Sequence, residues 1–198
     1  MSELYNNSKI CVKAVNNLKD LKKFIMLPWK IYKGDKNWVP PFIDEMKKSF
    51  NLSDKTLASK IKYEIFLALK DNEPAGRICA AIDTRLNSEK NMKMGYFSLF
   101  ECINDVNVSN ALFDSAFAWF TENGIKTVFG PYSPLGADSD EDKGLLIEGF
   151  DKPPFLMTSY NPPYYKDLVE NYGFSKNYDL FAYYLDPKVM FKKIPEKV

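Results

Sequence analysis

A chain of 198 residues is long enough for one good-sized domain or two small ones, and 27 Lys+Arg against 26 Asp+Glu leave a net charge of +1, with no basic field to attract nucleic acid. Histidine is absent, which excludes Ser–His–Asp and Cys–His nucleophiles, histidine proton shuttles and imidazole metal sites. Any general base must then be a carboxylate, lysine, tyrosine, cysteine or water. Cys11, Cys79 and Cys102 are odd in number and far apart, which argues against zinc and against a disulfide framework. With no apolar leader and no run of about 18 apolar residues, the expectation is a cytoplasmic protein with reduced thiols, no metal, no membrane and no nucleic-acid partner.

In chain order, "ICVKAV" (10–15) alternates as a half-buried strand, and "LKDLKKFIML" repeats apolar residues at helical spacing. Pro28 should kink or end that helix, because it has no N–H to donate. The stretch "PWKIYKGDKNWVPPF" is aromatic and broken by prolines, and "IDEMKKSF" suits a short helix. "YEIFLALKDNEPAGRICAAID" reads as a hairpin turning at "DNEPAG", with strands over 64–70 and 77–83. "KMGYFSLFECI" (93–103) is an apolar strand covered on both faces.

From Ser109 to Asn123 the residues Leu112, Phe113, Ala116, Phe117, Trp119 and Phe120 form one broad apolar helix face, and Gly124 follows the helix end. "TVFGPYS" is the next strand, so 93–103 and 127–132 should run parallel across a right-handed crossover. Residues 133–161 wander as a binding loop or lid would. "PYYKDLVENYGF" is a short helix closed by Gly173, and "YDLFAYYL" (178–185) reads as a last strand.

This order, with "FECINDVNVSNALFDSAFAWFTENGIKTVFGP" at its centre and a late helix ending "ENYGF", resembles the GNAT acyltransferase superfamily over roughly residues 8–186. The resemblance implies an α/β (α+β) fold with a mixed sheet, in a single domain over 1–186 followed by a tail at 187–198. It also implies acetyl-CoA or another acyl-CoA as co-substrate. The family's turn is commonly Q/R-x-x-G-x-G/A, and its glycines admit the pyrophosphate to backbone N–H groups at a helix start. Here the corresponding segment is Asn104, Asp105, Val106, Asn107, Val108 and Ser109, with Asn104, Asn107 and Ser109 at the motif positions and no glycine. Either Ser109 only starts a structural helix, or an altered cradle still holds CoA, with Asp105 adding an unfavourable charge.

Glu101 is the candidate base. Period-2 alternation puts it on the face of Phe97, Leu99 and Ile103, unless it only braces the sheet by pairing with a cation such as Arg77. The family often places an acidic tyrosine four residues before the late helix's glycine; that position is Val169, so Tyr164 or Tyr165 is the substitute, or both simply pack. Trp29, Tyr32 and Trp38, with Pro40 and Pro41, suit the wall of an acceptor pocket or an irregular piece of core. The acidic run Asp138, Asp140, Glu141 and Asp142 reads as a solvated loop tip.

The functional expectation is an acyl-CoA-dependent N-acyltransferase acting on a small amine. The alternatives are a non-catalytic ligand-binding or interaction domain of the same fold, and a relative of the Fem-type aminoacyl or peptidyl transferases. The 178–185 strand would leave an open edge, so a homodimer partner or a second domain is expected near residues 178–198.

Overall fold

A computed structural model of the protein describes residues 9–50, 52–53, 55–57, 61–132 and 143–183. Its elements run β1 (Ile10–Ala14), α1 (Leu18–Ile31), α2 (Ile43–Ser49), β2 (Thr56–Leu57), β3 (Ile61–Lys70), β4 (Glu73–Asp83), α3 (Thr84–Glu89), β5 (Met94–Cys102), α4 (Val106–Glu122), β6 (Thr127–Phe129) and α5 (Tyr165–Tyr172). The strands form one mixed sheet in the order β1-β3-β4-β5-β6, with short β2 also pairing β3. β3, β4 and β5 are antiparallel neighbours, whereas β5 and β6 are parallel, Met94 opposite Thr127 and Tyr96 opposite Phe129. The mixed sheet and the parallel crossover through α4 agree with the sequence pattern.

Alternation along the strands covers both faces. Phe66, Ala68, Ile78 and Ala80 point to one side, where they meet Leu112, Phe113 and Phe120 of α4 and Leu168 of α5. Ile65, Leu67, Cys79 and Ala81 point to the other, against Leu21, Phe24 and Ile25 of α1. Two glycines set how closely α4 lies on the sheet. A Cβ on Gly76 would meet Leu112 Cδ1 at 2.6 Å, and one on Gly95 would meet the Phe120 ring at 2.5 Å.

Five local expectations are corrected. The hairpin turns at Asp71 and Asn72 alone, both at positive φ, so Pro74 and Gly76 belong to β4. Helix α1 continues through Pro28 to Ile31, because the proline is buried against the core and the helix end is held by Tyr32 N–H donating to the Pro28 carbonyl at 2.8 Å. Helix α4 begins at Val106 rather than Ser109, with Asp105 as its cap. Residues 178–183 form no strand, and Leu180, Phe181 and Tyr183 lie exposed. β6 stops after three residues at Gly130 and Pro131, and a proline has no N–H with which to extend a ladder. Residues 184–198 and the acidic run Asp138–Asp142 lie outside the described residues.

Gly95→Ala should lower unfolding stability by about 1–3 kcal/mol, because the rigid Phe120 ring must move to admit a methyl group. Urea titration of both proteins measures this. Equal midpoints would show that α4 has room to shift.

Candidate functional site

The site begins with a missing N–H. In a regular helix the Phe24 carbonyl would accept from residue 28, but residue 28 is Pro28. The free carbonyl instead accepts from Arg77 Nη1 at 2.9 Å. The guanidinium lies over the Phe24 ring, its carbon 5.1 Å from the centroid. Arg77 is wholly enclosed, and burial pulls its pKa down while the Glu101 charge opposes that fall. Its Nε has no hydrogen-bond partner among the described residues.

Arg77 lies directly opposite Glu101 across β4 and β5, so both side chains leave the same face of the sheet, toward α1. Nη2 stands 3.6 Å from Glu101 Oε1, with the side chains 3% and 13% exposed. This pairing was one of the two readings open from sequence. The face given to Glu101 from alternation is corrected by a bulge. Between the pairs Arg77–Glu101 and Cys79–Ser98, β5 carries one extra residue, and Leu99 takes φ 50°. Phe97, Phe100 and Cys102 therefore face α4, while Leu99 packs on the α1 side, where Glu101 also points.

Two tyrosines at the start of α5 reach the end of β5. The Tyr165 ring packs on Phe100 at 5.2 Å, its hydroxyl donates to Glu101 Oε2 at 2.7 Å, and the same tyrosine hydroxyl oxygen accepts from the Cys102 N–H at 2.8 Å. Burial, then the Glu101 charge, raises its pKa well above that of a free phenol. Half-buried Tyr164 donates to the Cys102 carbonyl at 2.8 Å, and burial pushes its pKa up to about 12. Tyr32 also belongs here: burial raises its pKa, and the charge and hydrogen bond of Glu101 raise it further. Val169 is buried in the core.

The aromatic segment forms a wall beside this group. Tyr32 stacks on Trp38 at 4.9 Å, and Trp29 meets Trp38 edge-on at 5.3 Å. Trp29, Pro40 and Pro41 also line an open groove of about 480 Å³ with Phe42 and Ile43. The late loop is tied to the same segment: Tyr160 donates to Asp35 Oδ2 at 2.8 Å and Asn37 Nδ2 to the Phe150 carbonyl at 3.0 Å.

The second group of expected residues surrounds the start of α4. Asn104, Val106 and Asn107 are exposed, whereas Val108 and Ser109 are buried. Asp105 Oδ1 accepts from the N–H groups of Asn107 at 2.9 Å and Val108 at 3.4 Å, and Oδ2 accepts from Lys70 Nζ at 2.6 Å. Burial raises the Asp105 pKa, but Lys70 and the two N–H groups outweigh it and hold the carboxyl below its usual range. As seated, this turn does not fit a pyrophosphate: the N–H groups that would bind it already hold a carboxylate. Among the described residues no group of three or more His, Cys, Asp and Glu could hold a metal ion.

Solved structures share this arrangement of strands and helices. An aminoglycoside acetyltransferase from an uncultured soil metagenomic sample, in complex with sisomicin, superposes with TM-score 0.51 at 18% identity, covering 93% of this chain and 99% of that one. An aminoglycoside N-acetyltransferase in complex with CoA gives 0.51 at 11%, covering 92% and 98%. A ribosomal-protein-alanine N-acetyltransferase from Brucella melitensis gives 0.51 at 10%, covering 89% and 100%. The chain has the GNAT acetyltransferase fold.

No protein-family model matches the sequence. Two curated relatives do: protein YghO of Escherichia coli (strain K12), 35% identical over 175 residues, or 88% of this chain and 44% of that protein, and the bacterial ceramide synthase of Caulobacter vibrioides, 31% identical over 181 residues, or 91% and 46%. The chain spans less than half the length of either relative. No described helix is long and apolar enough to cross a membrane.

Pro28, Lys70 and the carbonyl of Phe24 did not stand out as site residues in the sequence. The one available signal was a proline inside an apolar helical repeat, which implies a carbonyl in need of a donor.

Arg77→Met should cost about 3 kcal/mol or more, because it leaves the buried Glu101 charge without its cation. Adding Glu101→Gln in the same chain should recover at least about 1 kcal/mol, read as a double-mutant cycle in urea. Strictly additive costs would remove the ion pair from the account.

Proposed function

We propose that the protein is an N-acyltransferase that moves an acyl group from a thioester to an amine. The nitrogen–carbon bond forms as the carbon–sulfur bond breaks. Glu101 takes the proton shed by the attacking nitrogen, and half-buried Tyr164, once its hydroxyl turns from the Cys102 carbonyl, returns one to the leaving sulfur. The observation that carries this reading is the Glu101 carboxylate, nearly enclosed and held between Arg77 at 3.6 Å and Tyr165 at 2.7 Å. Tyr165 has already committed its proton to Glu101 and its oxygen to Cys102 N–H, so its role is to position the base. The CoA and acetyl-CoA complexes among GNAT-fold structures support an acyl-CoA donor.

For the acceptor, a long-chain amine is better supported than the small amine expected from sequence. A ceramide is the N-acyl derivative of a long-chain amino alcohol, and one relative of this chain is a ceramide synthase. The loop tied to Asp35 and Asn37 also presents Phe155, Leu156 and Met157 at 63%, 91% and 50% exposure, an apolar surface suited to an alkyl chain. A second reading, a GNAT-like binding or interaction domain without catalysis, is favoured by the carboxylate of Asp105 at the start of α4.

The test is incubation with acetyl- and long-chain acyl-CoA and a panel of long-chain amino alcohols, polyamines and aminoglycosides, with amide products read by mass spectrometry. Long-chain amides should form. Glu101→Gln should cut turnover by about 10² or more with little change in KM for the amine, and Tyr164→Phe should cut it less. Near-normal turnover in Glu101→Gln would leave Glu101 a structural brace, and no product from any amine would favour the second reading.

A further inference from the structure

The start of α4 is where this chain departs furthest from what its fold implies. A helix start offers unpaired N–H groups and a positive end of the dipole, and an anion placed there is stabilised by both. Here the anion belongs to the chain itself. Asp105 places Oδ1 on the N–H groups of Asn107 and Val108 and Oδ2 on Lys70, which arrives from the end of β3. Its own N–H donates to the Ile103 carbonyl at 2.6 Å, and its carbonyl accepts from the Ser109 N–H at 3.1 Å, so the residue is fixed through both backbone and side chain. Two N–H donors and an ammonium around two oxygens are the contacts that a phosphate would seek. One turn further in, the Ser109 hydroxyl is fully buried and has no partner among the described residues.

We propose that Asp105 closes the start of α4 to phosphates, holding Asn107, Val108 and Lys70 as an internal anion, so that a phosphate-bearing donor binds there only where this carboxylate is displaced or neutralised. The carboxylate and a pyrophosphate cannot share these donors. Once freed, Lys70 is the cation that a phosphate would take over. The inference rests on the acyl-CoA reading for the identity of the donor, but not for the closure itself. It predicts that CoA affinity in the native protein is limited by Asp105, and that an acyl donor without a pyrophosphate at this position escapes the limit.

The experiment is calorimetric titration of the full chain with inorganic pyrophosphate and, separately, with CoA. Asp105→Asn is the main variant, since asparagine caps a helix as well as aspartate does while losing the charge. Asp105→Ser is a second neutral cap in case the first folds poorly, and thermal melts confirm folding of each. Both should gain about tenfold or more in pyrophosphate affinity, and Lys70→Gln added to either should abolish the gain. No gain in two folded variants would overturn the proposal, and a gain that survives Lys70→Gln would overturn the part assigned to Lys70. A gain for pyrophosphate with no CoA binding in any variant would uphold the closure while refuting CoA as the donor.

Discussion

The site depends on one carbonyl. Phe24 has an oxygen that the helix cannot use, because Pro28 supplies no N–H, and Arg77 fills the vacancy at 2.9 Å. A buried guanidinium is costly unless its protons find acceptors and its charge finds a counterion. The helix provides the acceptor and Glu101 the counterion, so α1, β4 and β5 are tied together at the point where the candidate chemistry lies. Without the proline, the helix would close its own hydrogen bond, and the arginine would have to compete for that oxygen.

The bulge at Leu99 decides which side of the sheet this network occupies. Without the extra residue, Glu101 would share a face with Phe97 and enter the apolar layer under α4, away from Arg77. With it, Phe97, Phe100 and Cys102 stay in that layer, and Glu101 meets Arg77 on the side of α1. Tyr165 then links the two sides, its ring among the phenylalanines and its hydroxyl on Glu101. The start of α4, a few residues on, has a similar design with opposite consequence: the partly buried charge of Asp105 takes the N–H groups of Asn107 and Val108 and the Lys70 ammonium that an anionic ligand would otherwise use.

Much of the fold was legible because its signals are local and repeated. The alternation of β3 and β4, the broad apolar face of α4 and the glycine after α5 each state their element without help from tertiary structure. The Arg77–Glu101 pair was within reach of the sequence as one of two readings. The bulge was not, since a single leucine at φ 50° has no signature in residue type. The cap of α4 is ambiguous in the sequence because Asp105, Asn107 and Ser109 are all good caps, and the folded chain puts the Asp105 carboxylate on the N–H groups of Asn107 and Val108 and on Lys70. Pro28 reads as a break because the rule for proline concerns an isolated helix, and a buried arginine on a neighbouring strand lies outside it. The distinct contacts of Tyr164 and Tyr165 follow from the entry angle of α5, which adjacent letters cannot express.

The chain has two arginines, Arg77 and Arg85, so their side-chain nitrogen signals are simple to assign by NMR. Hydrogen exchange and rotation of the Arg77 guanidinium, compared between the wild type and Pro28→Ala with Arg85 as internal reference, test the dependence of the site on the Phe24 carbonyl most directly. Arg77 should show slow exchange and slow rotation in the wild type, and both rates should rise clearly once alanine returns an N–H to Phe24. An Arg77 signal that behaves alike in the two proteins would show that the carbonyl freed by Pro28 does not hold the guanidinium in place.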